Sequence, residues 1–353
     1  MNPLIKWCSR VFNNPSLMAL LLFGCTLSLA FFSIGQWLIP VIISAVIAYL
    51  LEGLIKKCEK NGVRRIFAVS VVFLLFSFLI IYIFIGVLPI LINQAKGLIT
   101  NLPVYLSYAQ EKMHILPKRF PEIISQQDID LMLGSMNAAV AEYTKILLSK
   151  KIFESLFAVF TVLVYIILIP ILIFFFLKDK VKILSWLGQF LPDNHQIIQD
   201  IWTEVDIQIG NYIRGKFVEV MIIWIMCFIP FNILGLQYSL LLSLMVGLSV
   251  LIPYIGATIV TFPVLIVAYM QFGLNSGFWW STGFYFVVQI LDGNVIVPVI
   301  FSEAVSIHPI AIIMAVLVFG GLWGFWGIFF AIPLATLVKA IVEAWRRYQN
   351  RGQ

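Results

Sequence analysis

The chain has 353 residues, of which 61% are hydrophobic and 11% charged, and carries a net charge of +6, with a mean hydropathy of +1.01. Soluble domains run about 45–50% apolar and about 25% charged, so this composition excludes an ordinary soluble fold and reads as an all-α polytopic membrane protein. The apolar runs are long and unbroken, which excludes a transmembrane barrel built from short alternating segments.

A spanning helix needs about 20 apolar residues. After Lys6 and Arg10 the chain is uncharged as far as Leu51. That run far exceeds the roughly 7–15-residue apolar core of a cleaved signal. Residues 15–51 are long enough for two spans, with a break expected near Gly35, Gln36 and Pro40. A basic loop follows (Lys56, Lys57, Lys60, Arg64, Arg65), and residues 66–92 make a third span. Residues 1–92 therefore read as an N-terminal tail and spans one to three. Residues 93–151 mix apolar positions with Lys, Glu, Asp and Pro. Leu98, Leu102, Tyr105 and Ala109 recur at helical spacing, and Pro117 and Pro121 interrupt them, which predicts a small helical extracytoplasmic insertion.

Residues 152–177 make the fourth span. Residues 178–216 read as a cytoplasmic amphipathic helical segment. Within it Ile198, Ile201, Trp202, Val205, Ile209, Tyr212 and Ile213 share one face, as expected of a helix lying on the inner membrane surface or docked on the bundle. Residues 217–338 hold four further apolar segments, 217–236, 238–271, 277–300 and 308–338, and form the C-terminal core. Residues 339–353 are a basic cytoplasmic tail. About eight transmembrane helices result, with both termini on one side.

Basic residues favour the cytoplasmic side of a membrane. Of the 23 Lys and Arg, two precede the first span, five lie in residues 52–65, five in residues 178–216 and four after the last span. The remaining seven fall in residues 93–151. Both termini are thus expected in the cytoplasm, and the lipid bilayer rather than nucleic acid accounts for the positive charge.

The chemistry concentrates late in the chain. Between Glu219 and Lys339 the only Asp, Glu, Lys or Arg residues are Asp292 and Glu303. A carboxylate inside a bilayer is costly and marks a functional candidate by default. The segment 238–271 is too long for one straight span, and its middle reads Pro253-Tyr254-Ile255-Gly256. Proline removes a backbone donor, so an interrupted or re-entrant helix is expected there. Broken helices within a membrane line cavities or are buried in protein, and transporters use such breaks to meet an ion or solute. Gln289 and Asp292 are three residues apart and share a helical face, with Asn294 close but turned away. Glu303 and His308 lie in a short polar turn before the last span. His308 either relays a proton or caps the helix beginning at Pro309. Glu219 sits near Arg214 and Lys216, where an interfacial ion pair is the simpler alternative to a transport role.

In the last span Gly320, Gly324, Gly327 and Ala331 follow a 4-3-4 spacing, which predicts one small-residue face for close helix packing and leaves room for self-association. Cys8, Cys25, Cys58 and Cys227 have neither metal nor disulfide spacing, and Cys25 and Cys227 read as inert small residues. No metal site or cofactor motif is found. His114, His195 and His308 are far apart in sequence, and neither a zinc-type His-Glu-x-x-His nor a Gly-x-Ser-x-Gly elbow occurs. An enzyme is therefore not expected.

Three stretches together resemble the autoinducer-2 exporter family of bacterial permeases. They are Pro253-Tyr254-Ile255-Gly256; Asp292-Gly293-Asn294 with Pro298, Ser302 and His308-Pro309; and Gly320-Gly321 with Gly324, Gly327 and Pro333. The likeness covers nearly the whole chain, including the insertion between the third and fourth spans. It implies an eight-span protein of the bacterial inner membrane with cytoplasmic termini. The implied function is secondary export of a small molecule such as autoinducer-2, or of an ion, coupled to protons or sodium. Other members resemble sodium/proton antiporters. A passive channel or scaffold without coupled transport is the competing class.

Overall fold

The computed structural model describes residues 15–113, 156–189, 196–253, 255–301 and 308–339, with a few single positions between 127 and 142. Apart from turns, these residues are helical. Helix α1 spans Pro15–Lys60. Helix α2, Arg65–Tyr82, continues through a π-helical turn at Ile83–Val87 into α3, Leu88–Met113. Then follow α4, Leu156–Lys178; α5, Lys180–Gly188; α6, Gln196–Ile233; α7, Ser239–Ser249; and α8, Ile255–Phe272. Helix α9, Ser276–Leu291, passes through a second π turn, Asp292–Ile296, into α10, Val297–Phe301. Helix α11 begins at Pro309. Six of these stretches are long and apolar enough to cross a membrane, and Val164–Lys178 and Ser239–Ser249 are shorter apolar helices. The protein is an all-α polytopic membrane protein.

Three expected boundaries are absent. Residues 15–51 do not split near Gly35, Gln36 and Pro40; α1 is one helix of 46 residues. Intramembrane proline is tolerated when nearby hydroxyls and neighbouring helices satisfy the freed backbone groups. The carbonyl that Pro40 frees is that of Gln36; the Ser44 hydroxyl instead donates to the Pro40 carbonyl at 2.6 Å and approaches that of Ile169 at 3.3 Å, fastening α1 to α4 beside the proline. The third span likewise does not stop at residue 92: helix runs on to Met113. The amphipathic stretch of residues 196–213 is not a separate surface helix either, because α6 carries it without interruption into the span. Tyr212 and Ile213 of its apolar face are buried in protein, as in the docked alternative.

The chain forms two compact units. One comprises Met1–Phe76, Tyr165–Val218 and Val297–Gln353; the other comprises Ser77–Val164 and Glu219–Ile296. In the first, Ala48, Leu51, Ile55, Ala68, Val69, Val72, Ile173 and Leu177 pack α1, α2 and α4 together. A charged clamp closes one end of this layer. Buried Glu52 pairs with Arg65 at 3.0 Å and Lys180 at 3.6 Å, and Arg65 also donates to the terminal carbonyl of Leu177 at 2.8 Å. Glu52 is the buried member, while Arg65 and Lys180 are partly exposed and Arg65 also meets Glu59 at 3.3 Å, so losing one partner leaves partial compensation and costs about 1–3 kcal/mol. Arg65→Ala and Glu52→Gln should each lower the apparent unfolding temperature in detergent by several degrees. An unchanged melting profile for both would show that the clamp contributes nothing.

In the second unit α7 and α8 form a helical hairpin. Its mouth is tied where the Gln271 side chain accepts from the Gln237 amide at 2.7 Å and donates to the Gly235 carbonyl at 2.8 Å. Its turn is closed where Gly256 meets the Ser249 carbonyl. Helix α7 has 11 residues and rises about 16 Å, well short of the ~30 Å hydrocarbon core, whereas α8 is long and apolar enough to cross it. Leu242, Val246, Val260, Val264 and Ala268 of the hairpin share a core with Ile223, Cys227 and Phe231 of α6 and Tyr285 and Val288 of α9. Helix α3 supports the mouth: Gln94 accepts from the Leu241 amide at 2.8 Å, and Asn101 donates to the Tyr238 hydroxyl at 2.7 Å.

The first unit contains a second reversal. Gly324 adopts φ 58°, ψ −136° inside α11, a conformation open almost only to glycine. Beyond it the chain folds back, and residues 331–339 are again helical. Ala315, Val316 and Phe319 pack against Ile328, Ala331 and Ala335. The 4-3-4 face expected of Gly320, Gly324 and Gly327 therefore does not form. A Cβ on Gly327 would meet the Phe319 carbonyl, and one on Gly320 would meet Ile328. These glycines let two arms of one segment approach, because Gly324 turns the chain between them.

Candidate functional site

The hairpin turn of the second unit brings a polar cluster into an apolar core. Pro253 lies in the interruption between α7 and α8, and Gly256 begins the second arm. The break was expected; its physical cause is close approach. A Cβ on Gly256 would lie 1.8 Å from the Ser249 carbonyl oxygen, so only glycine lets the arms meet there. Pro40, Pro103, Pro170, Pro230 and Pro263 all remain inside helices, so proline alone does not break the chain here.

Opposite the start of α8, helix α9 presents Ser281, Tyr285, Gln289 and Asp292. Their steps of four, four and three residues place them on one face. The Tyr285 side chain is fully buried. Its hydroxyl accepts from Gln289 Nε2 at 2.8 Å, lies 2.6 Å from the Thr261 hydroxyl and 3.1 Å from the Ala257 carbonyl. Thr261 in turn donates to the Ala257 carbonyl at 2.7 Å. Tyr285 is thus the hub joining α9 to the backbone just past the hairpin turn. Ser281, one turn earlier, is fully buried, and its hydroxyl has no partner among the described residues.

Asp292 ends this face at the start of the π turn. The residue is half-buried, and its Oδ1 is shut off from solvent. Cys227 on α6 is fully buried in the core that also holds Tyr285. A carboxylate, an amide and hydroxyls beside exposed backbone carbonyls can accept hydrogen bonds or surround a hard cation with oxygen. Among the described residues no cluster of three His, Cys, Asp or Glu side chains suited to a metal is present.

The remaining candidates separate. Asn294 is exposed and donates to the Ile290 carbonyl at 2.8 Å, which occupies its amide locally. Glu219 is 1% exposed. It begins a fully buried stripe on α6, continued by Ile223, Cys227 and Phe231 at four-residue steps. Two turns, or about 12 Å of rise, separate it from Cys227. The same stretch packs on the hairpin, where Gly247 fits against the Val220 carbonyl and Trp224. In the other unit His308 is exposed, and its Nδ1 accepts from the Ile310 amide at 3.3 Å with Pro309 following. It is a helix cap. Lys216 is buried with its Nζ 5.4 Å from the centre of the Phe301 ring, beside Tyr212, whose hydroxyl donates to the Phe329 carbonyl at 3.0 Å. Glu303 lies outside the described residues.

Sequence reasoning named Gln289, Asp292, Pro253 and Gly256 as candidates, and the structure joins Gln289 to the hairpin through Tyr285. It missed Tyr285, Thr261 and Ser281. The 4-4-3 spacing of polar residues along α9 was the available signal for two of them.

Comparison with known proteins agrees with this architecture. A family model described as AI-2E family transporter matches residues 16–347. The chain is 42% identical over 343 residues to the "Putative permease PerM" of Escherichia coli (strain K12), covering 97% of each chain. It is 27% identical over 308 residues to the "Putative transport protein YueF" of Bacillus subtilis (strain 168), covering 85% of this chain and 82% of that one. A match over almost the whole length, with the spans and the broken helix in place, makes this chain a member of the AI-2E transporter family.

Proposed function

We propose that this protein is a secondary transporter of the bacterial inner membrane that exports a small molecule or an ion, coupled to protons or sodium, and that Asp292 contacts the coupling ion or the solute. One observation carries the reading. Asp292 and Gln289 share the face of α9 that is tied to a hairpin turn, in a stretch of about 120 residues almost free of charge. Membership of a transporter family supports the coarse activity; the broken helix and the enclosed carboxylate support the site. Autoinducer-2 and a monovalent cation are both compatible with an acceptor-rich site. Uptake and efflux in sealed proteoliposomes, across a panel of ions and with an imposed pH gradient, test the reading. Accumulation against a gradient supports a coupled carrier, whereas mere dissipation of gradients identifies a channel.

The proposed orientation puts residues 52–65 and 178–216 in the cytoplasm and residues 93–113 outside. The excess of basic residues in the first two segments supports it, as does the Glu52 clamp, which joins residues 52, 65 and 180 at one end of the first unit. Single cysteines introduced into a background lacking Cys8, Cys25, Cys58 and Cys227 report sidedness. Position 57 should label from the cytoplasmic side and position 112 from the opposite side with an impermeant maleimide. Labelling of both from the same side would reject the orientation.

A further inference from the structure

We propose that Tyr285 is the positioning residue of this site: its hydroxyl fixes the Gln289 amide and the first turn of α8 together, and so keeps closed the core that it shares with Cys227. The inference deepens the proposed role of Asp292 and rests on it for its bearing on transport, but the tie itself stands on geometry alone.

The hydrogen-bond arithmetic supports the assignment. Thr261 has one hydroxyl proton and directs it at the Ala257 carbonyl. Its oxygen is then left to accept from Tyr285, 2.6 Å away. Tyr285 shares its single proton between that oxygen and the Ala257 carbonyl 3.1 Å away, and its own oxygen accepts from Gln289 Nε2. The chain of donors therefore runs one way, from Gln289 through Tyr285 and Thr261 to the hairpin backbone. Gln289 spends an amide hydrogen on Tyr285, which leaves its carbonyl oxygen as the end of the amide not engaged by the tyrosine. Tyr285 is fully buried and its partners Thr261 and Gln289 are half-buried, so a broken link leaves polar groups that water reaches poorly without a partner. The Tyr285 hydroxyl ties α9 to the start of α8, at the Thr261 hydroxyl and the Ala257 carbonyl. Breaking this link loosens α9 from that end of the hairpin.

Cys227 is a native reporter, since it is fully buried in the same core as Tyr285. With Cys8, Cys25 and Cys58 replaced, its alkylation by N-ethylmaleimide in detergent measures opening of that core. Loss of one net hydrogen bond shifts such an equilibrium by roughly tenfold. Tyr285→Phe should accelerate alkylation about tenfold. Thr261→Val should accelerate it in the same direction, whereas Thr261→Ser, which keeps the hydroxyl, should retain the parental rate. Adding Gln289→Leu to Tyr285→Phe should produce no further increase, because both remove the same chain. The Thr261 pair decides the matter if Tyr285→Phe does not fold. A parental alkylation rate in Tyr285→Phe, or Thr261→Ser as fast as Thr261→Val, would overturn the proposal. Transport by Asp292→Asn, measured in parallel, reports separately on the site reading. Full activity there with the alkylation pattern intact would remove the role of Asp292 and leave the Tyr285 tie standing.

Discussion

Asp292→Asn should insert and fold at parental yield and lose ion-coupled transport. The substitution keeps size and shape and removes one charge from the enclosed end of the α9 face. A hydrogen bond or ion contact to a charged group contributes about 1.5–3 kcal/mol, so flux at subsaturating substrate should fall roughly ten- to hundredfold. Asp292→Glu should retain part of the activity, because the carboxylate survives about one methylene further along. Proteoliposome flux, paired with yield and size-exclusion profile, separates the outcomes. Loss of transport together with yield would make Asp292 a folding residue. Full coupled transport by a well-folded Asp292→Asn variant would refute the assignment, and Glu219, the other buried carboxylate of the same unit, would become the residue to test.

Gly256→Ala and Gly327→Ala should be among the most destabilising single substitutions in the chain. In both cases the added Cβ would fall 1.8 Å from a backbone carbonyl oxygen, that of Ser249 or Phe319. Backbone cannot swing aside as a side chain can, so the two arms of the hairpin must separate. Overpacking of this kind costs about 1–3 kcal/mol where neighbours can yield, and these neighbours are fixed. Expected results are lower yield and a drop of several degrees in unfolding temperature. Gly283→Ala and Gly321→Ala serve as controls, because nothing lies within 4 Å of either added Cβ, and both should be silent. Equal behaviour of all four variants would show that the hairpin turns tolerate separation. Gly324→Ala is expected to fail for a different reason: its φ of 58° with ψ of −136° strains any side chain whatever the space.

What the sequence by itself determined was set by composition and by local chemistry. Sixty-one per cent apolar residues leave no alternative to helices in lipid, because every backbone group must be satisfied within its own segment. The near absence of charge after Glu219 isolated Asp292. The spacing of Gln289 and Asp292 placed them on one face, and Pro253 with Gly256 marked a break. These inferences need only residues within a few turns of one another. What tertiary structure alone decided involves partners far apart in the chain. Pro40 looked like Pro253 in sequence, yet α1 continues through it while the chain reverses just after Pro253, where Gly256 has a carbonyl to meet. Gly320, Gly324 and Gly327 were spaced as one helical face, but a spacing argument assumes an unbroken helix, and the positive φ of Gly324 removes that assumption. Tyr285 and Thr261 are 24 residues apart and ordinary in sequence; only the fold of α8 against α9 brings their hydroxyls together and makes them part of the site.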